Sequence, residues 1–130
     1  MSICLGNGSN ELIEMLVRTF VGHGETVVTA WPSFVVYRLA AQAAGREVLF
    51  APLRNERYDL ATMASLVDRR TKLVFIANPN NPTGTMISAA EIARLAENLP
   101  PQALLVLDGA YAEFVEGYDG GAGLADARDN

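Results

Sequence analysis

The sequence holds one cysteine, one histidine and one lysine in 130 residues: Cys4, His23 and Lys72. A lone cysteine excludes an internal disulfide and a Cys-rich metal site. One imidazole and one amine leave almost nothing for conventional base or amine chemistry, a scarcity that matters once a reaction is considered. No apolar run approaches the roughly 20 residues of a membrane-spanning helix. The first 20 residues lack a basic leader and break their apolar pattern with Glu11, Glu14 and Arg18, so no signal peptide is expected and the cytoplasm is the default compartment. Positive charge is also short. A net charge of −5 argues against nucleic acid and anionic membrane surfaces as partners.

What is present is apolar residues, 50% of the chain, enough to bury a core in a chain of one-domain length. They fall into alternating strand-like and helix-like segments. Residues 3 to 11 read as a short strand entering a glycine turn, followed by a helix whose stripe is Leu12, Met15, Leu16 and Phe20, stopped at Gly22. Ser9 or Asn10 is the expected N-cap. A strand over 25–30 leads to Trp31-Pro32-Ser33-Phe34, where Ser33 is expected to cap a helix through Val36, Leu39, Ala40 and Ala43. Trp31 reads as packing. A strand over 46–53, a polar surface loop over 54–58 and a helix capped by Asp59 follow. Arg69, Arg70 and Lys72 read as a solvated turn after that helix. Ser88-Ala-Ala-Glu91 is a capping box for a helix through Ile92, Leu95 and Leu99, ended by Pro100-Pro101. Residues 103–107 read as a further buried strand, and 116–130 as a surface loop or fraying terminus. Strands alternating with helices imply an α/β fold, a mainly parallel sheet covered on both faces in three α/β/α layers.

Three stretches carry chemistry. The first is Leu73 to Ala77, a continuous apolar run of the kind buried on both faces, which ends at Asn78-Pro-Asn-Asn-Pro-Thr-Gly84. Two prolines and a glycine force an ordered turn. At the carboxyl end of a central parallel strand, such a turn lies where open α/β sheets bind ligands, and Asn81 would offer a rigid amide there. The second is Gly6-Asn-Gly8-Ser9-Asn10-Glu11, where glycines before a helix start leave backbone N–H groups able to cradle an anion. Spacing alone does not separate a phosphate site from an ordinary capped helix here. A dinucleotide fingerprint fails, because Glu11 stands where a third glycine would permit close packing. The third is Asp108-Gly-Ala-Tyr111 directly after an apolar strand, where an acidic group needs a cationic or donor partner.

In their order along the chain the three motifs resemble the fold-type I, pyridoxal-phosphate-dependent aminotransferases, and Gly-Asn-Gly-Ser-Asn-Glu is particularly similar to the histidinol-phosphate branch. The resemblance implies pyridoxal 5′-phosphate as cofactor. Its phosphate would lie on Gly8, Ser9 and Asn10, largely through backbone amides. Phe34 would stack on the pyridine ring, where many relatives carry Tyr or Trp. Asn81 and Tyr111 would reach the phenolic oxygen, and Asp108 the ring nitrogen. Gly109 departs from the Glu common at that position.

The resemblance covers about residues 3 to 124 and implies only the central part of the large domain. The N-terminal segment, the small domain with its substrate arginines and the segment carrying the Schiff-base lysine would lie outside residues 1–130, leaving no catalytic residue within them. Lys72 is not that lysine: it opens its strand at the amino end, roughly 20 Å from the carboxyl end at about 3.3 Å per residue. The implied activity is amino-group exchange between an amino-phosphate donor and a 2-oxo acid acceptor, with a homodimer or self-association expected through an uncovered sheet edge. An amino-acid-phosphate decarboxylase of the same fold, and a non-catalytic module that keeps the cofactor pocket, remain open alternatives.

Overall fold

The computed structural model describes residues 3–117; most of the expected terminal loop over 116–130 lies outside them. The chain runs α1 (Gly8–Phe20), β1 (Thr26–Trp31), α2 (Val36–Ala43), β2 (Glu47–Arg54), β3 (Arg57–Tyr58), α3 (Leu60–Leu66), β4 (Thr71–Ala77), α4 (Ala89–Asn98), β5 (Leu104–Asp108) and a 3₁₀ turn (Ala112–Phe114). The sheet order is β3-β2-β1-β4-β5, parallel throughout except for the β2–β3 pair.

Alternation along β1 and β4 divides the core into two layers. Val27, Leu73, Phe75 and Ala77 point to the face covered by α1 and α2, against Ile13, Val17, Tyr37 and Ala41. Val28, Ala30, Val74 and Ile76 point to the other face, against Met63 of α3 and Ile92 and Leu95 of α4. These two strands are therefore buried on both sides, which is why they read as unbroken apolar runs rather than alternating ones. β4 is joined to β1 on one side and β5 on the other. The connection through α2 runs from β1 to β2, and the one through α3 returns across β1 to β4, so the winding reverses at β1 and β4. At such a switch point the carboxyl ends of the strands diverge and leave a crevice.

Two of the expected helix caps hold. Asp59 accepts the Thr62 N–H at 3.0 Å, and Ser88 with Glu91 forms the reciprocal box at the start of α4.

Other expectations are corrected. Residues 3–6 form no strand, and the N-cap of α1 is Asn7, so Ser9 and Asn10 lie inside the first turn. Ser33 caps nothing: the N-cap of α2 is Val35 and Ser33 is buried in a polar network. Both helices are also rotated from their expected faces. The buried positions are Ile13 and Val17 on α1, and Tyr37, Ala40 and Ala41 on α2, while Met15, Phe20 and Leu39 are exposed. Each helix is apolar around much of its circumference, so 3.6-residue periodicity fits more than one phase. Residues 54–58 are a tight hairpin with Asn55 and Glu56 both at positive φ (50° and 61°), the conformation of a two-residue hairpin turn. β5 is only half-buried, with one side unpaired among the described residues. Trp31 is 44% exposed, its ring edge-on to Phe50 and covered by the Arg38 guanidinium at 5.0 Å.

Candidate functional site

Five of the seven expected site residues meet at the crevice. Ser9 from the start of α1, Phe34 from the loop after β1, Asn81 from the turn after β4, and Asp108 and Tyr111 from the end of β5 line one cavity of about 40 Å³, together with Ala77, Pro79 and Ala110. It holds a few waters at most, so a larger ligand would occupy its open mouth.

The three asparagines of the turn after β4 are not equivalent. Asn78 is fixed across the turn: its amide donates to Ile87 O at 2.9 Å and its side-chain oxygen accepts the Ile87 N–H at 3.0 Å. Asn80 is buried, and its amide donates to Thr83 Oγ1 and Pro32 O while its oxygen accepts from Ser33 and Tyr58. All four of its hydrogen-bonding positions are used. The Asn81 side chain has no hydrogen-bond partner among the described residues and lines the cavity. Of three chemically identical amides, one is left for a ligand.

Asp108 supplies the charge. Its Oδ2 accepts the Tyr37 O–H at 2.8 Å and its Oδ1 the Ala110 N–H at 3.1 Å, and its backbone oxygen accepts the Asn78 N–H at 2.9 Å. Tyr37 was not singled out from the sequence. It lies three residues after Phe34, so one helical turn brings it under the same cavity. Burial, followed by the nearby Asp108 charge, pushes the Tyr37 phenol far above its usual range, so it stays a neutral donor at any working pH. Its ring stacks on Phe75 at 4.7 Å and 7° and meets Phe34 edge-on at 5.6 Å. The carboxylate is thus oriented by a tyrosine that is itself locked by core packing.

At the start of α1 the cradle is narrower than the motif suggested. The Asn7 N–H donates to Glu11 Oε2, and the Gly8 N–H turns back to Gly6 O at 2.9 Å. Gly8 adopts φ +72°, which spares the turn the penalty a side chain would bring. The N–H groups of Ser9 and Asn10, in the first turn, have no intrahelical acceptor. The Asn10 side chain lies outside the cavity, in a groove between α1 and α2 with Glu14 and Leu39. Tyr111 is 48% exposed, its ring tilted against Phe114 at 6.5 Å, so it is no core residue. Lys72 is remote from all of these. It sits at the amino end of β4, its Nζ 3.2 Å from Glu25 Oε1.

The crevice of this doubly wound α/β sheet thus brings together an aromatic side chain, an unengaged amide, an oriented carboxylate and the start of α1. The model of the family "aminotransferase class I and II" matches residues 1–129. The chain is 49% identical over 128 residues to the histidinol-phosphate aminotransferase of Ruegeria pomeroyi, covering 98% of this chain and 36% of that protein. It is 50% identical over 125 residues to the same enzyme of an Anaeromyxobacter species, covering 94% and 34%. Among solved structures, histidinol-phosphate aminotransferase from Sinorhizobium meliloti, in complex with pyridoxal-5′-phosphate, superposes with a TM-score of 0.81 at 32% identity, over 87% of this chain and 31% of that one. The chain belongs to the class I and II aminotransferases and has the fold-type I architecture of that family. It spans about a third of the length of the curated relatives it matches.

Proposed function

We propose that this chain is the cofactor-docking part of a pyridoxal-phosphate-dependent aminotransferase of the histidinol-phosphate type. The observation that carries the reading is the convergence of Ser9, Phe34, Asn81, Asp108 and Tyr111, from four separate segments, on one cavity at the switch point. The donor set fits the group: an anion meets uncompensated N–H groups, a flat ring meets an aromatic face, and a ring nitrogen meets a carboxylate. When bound, pyridoxal phosphate supplies an electron sink for charge that develops on the substrate α-carbon.

Every other task falls to this chain's residues. The N–H groups of Ser9 and Asn10, with Gly8 shaping the turn, hold the phosphate. Phe34 offers its face to the ring. Asn81 donates to the phenolic oxygen beside Tyr111. Asp108 keeps the proton on the pyridine nitrogen, because its negative charge favours the protonated form and Tyr37 prevents it from turning away. The amino donor would be an amino-phosphate and the acceptor a 2-oxo acid such as 2-oxoglutarate, handled in the cytoplasm. The Schiff-base lysine and the substrate arginines are assigned to the remaining two thirds of the length seen in the relatives.

The test uses the protein that carries this chain. Pyridoxal phosphate should bind with a shifted absorbance band, Asn81→Ala should weaken that binding about fivefold to tenfold, the worth of one neutral hydrogen bond, and borohydride reduction should tag a lysine other than Lys72. Stoichiometric labelling of Lys72, or unchanged binding by Asn81→Ala, would sink the assignment.

We further propose a homodimer. Met15, Phe20, Leu39 and Phe114 are exposed, the last at 80%, and β5 has one side unpaired among the described residues; exposed apolar groups and unpaired edges invite a second chain. Light scattering at tens of micromolar should read twice the protomer mass, and a clean monomer would refute it.

A further inference from the structure

One hydroxyl joins the two walls of the cavity, and it belongs to a residue that does not line it. Tyr58, at the end of the β2–β3 hairpin, is buried and sends its side chain under the crevice. Its oxygen accepts the N–H of Ala77, the last residue of β4, at 2.9 Å. It donates to Asn80 Oδ1 at 3.0 Å and lies 2.8 Å from Ser33 Oγ, which itself donates to Asn80 Oδ1 at 2.9 Å. Two hydroxyl protons can fill only two of the three edges of this triangle at once, which leaves no spare donor.

The positions of these partners give the triangle its meaning. Ser33 immediately precedes Phe34, and Asn80 immediately precedes Asn81. Asn80 is also pinned along its backbone, its N–H donating to Thr85 O at 2.9 Å and its oxygen accepting the Gly84 N–H at 2.7 Å. With its neighbour held at side chain and backbone, Asn81 keeps little freedom beyond its own side-chain torsions. We propose that Tyr58 is a positioning residue that sets the separation between the Phe34 face and the Asn81 amide, and so fixes the width of the slot into which the cofactor ring fits. The proposal rests on the reading of Phe34 and Asn81 as cofactor contacts.

Burial raises the Tyr58 phenol above its usual range, so the hydroxyl keeps its proton and its donor role across working pH. Removing the oxygen leaves the Ala77 N–H without its acceptor and takes away one of the two donors at Asn80 Oδ1, while Ser33 keeps its own contact to that oxygen. The ring of phenylalanine still fills the space, so the core between β4 and α3 is retained.

The experiment is a double-mutant cycle in the full protein that carries this chain, reading the dissociation constant of pyridoxal 5′-phosphate by quenching of protein fluorescence, with thermal midpoints recorded alongside. Tyr58→Phe is expected to weaken binding about fivefold or more, from the scale of one buried hydrogen bond. In an Asn81→Ala background the same change is expected to cost less than twofold, because the group it positions is gone. A role in general stability predicts the opposite pattern, a loss of similar size in both backgrounds. That pattern, or unaltered affinity in Tyr58→Phe, overturns the proposal. If Asn81→Ala alone leaves affinity unaltered, the reading of the site fails and the proposal falls with it. Should Tyr58→Phe not fold, Ser33→Ala removes the second hydroxyl of the triangle and completes the same cycle, with the same outcomes deciding.

Discussion

Asp108→Asn in the protein that carries this chain should lower turnover by roughly 10²–10³-fold, the size of losing one preorganised electrostatic partner of the reacting group. Asparagine keeps the shape, but its single oxygen can take the place of only one of the two carboxylate oxygens that accept from Tyr37 and Ala110. What it cannot do is hold a proton on a ring nitrogen by charge. A single charge-assisted hydrogen bond accounts for only about tenfold to a hundredfold of that loss, so the remainder measures how strongly the reaction depends on the protonated ring. The fold should be nearly indifferent, since Asp108 is half-buried at the end of a partly exposed strand. Steady-state kinetics with a thermal melt decides the matter: near-normal turnover, or a collapse of the melting midpoint that explains the loss, would remove Asp108 from the role.

Phe75→Ala carries the largest expected effect on stability, a loss of about 3–5 kcal/mol. Phe75 is fully buried in the central strand, between neighbours on both sides, and its ring stacks on Tyr37. Truncation removes apolar burial and leaves a cavity that a strand locked by parallel pairing on both edges cannot collapse to fill. Against the 5–15 kcal/mol that holds a typical domain together, this is a large fraction. The damage should also reach the site, since Tyr37 loses the surface that orients it toward Asp108. Urea denaturation should show the midpoint falling with little change in slope; a loss below about 1 kcal/mol would mean that Phe75 is not the keystone its packing indicates.

Both residues are legible in the sequence, whereas the tyrosine that links them is not. Phe75 could be placed from the string Leu73 to Ala77 alone, because five successive apolar residues bounded by Asn-Pro fit a strand buried on both faces and little else. Asp108 was visible because a carboxylate directly after an apolar strand demands a partner, and Asn81 because its turn is rigid. Tyr37 was hidden inside a helix whose apolar residues permit several rotations. Of the expected stripe through Val36, Leu39, Ala40 and Ala43, Ala40 is buried and Val36 packs against the core, but contact with α1 and β4 buries Tyr37 and Ala41 and leaves Leu39 exposed.

The sequence by itself determined the order of the helices and of β1, β2, β4 and β5, the Asp59 and Ser88 caps and the turn after β4, since each depends on residues within a few positions of one another. The tertiary structure alone decided that Ser33 leaves its expected capping role for a buried triangle with Tyr58 and Asn80, and that the hairpin at Asn55-Glu56 delivers Tyr58 to that point. Ser33, Tyr58 and Asn80 lie 22 to 47 positions apart, and no local pattern encodes which distant donor satisfies a buried polar atom. That choice is made only when the sheet closes and excludes water, because only then does an unpaired hydroxyl or amide become costly.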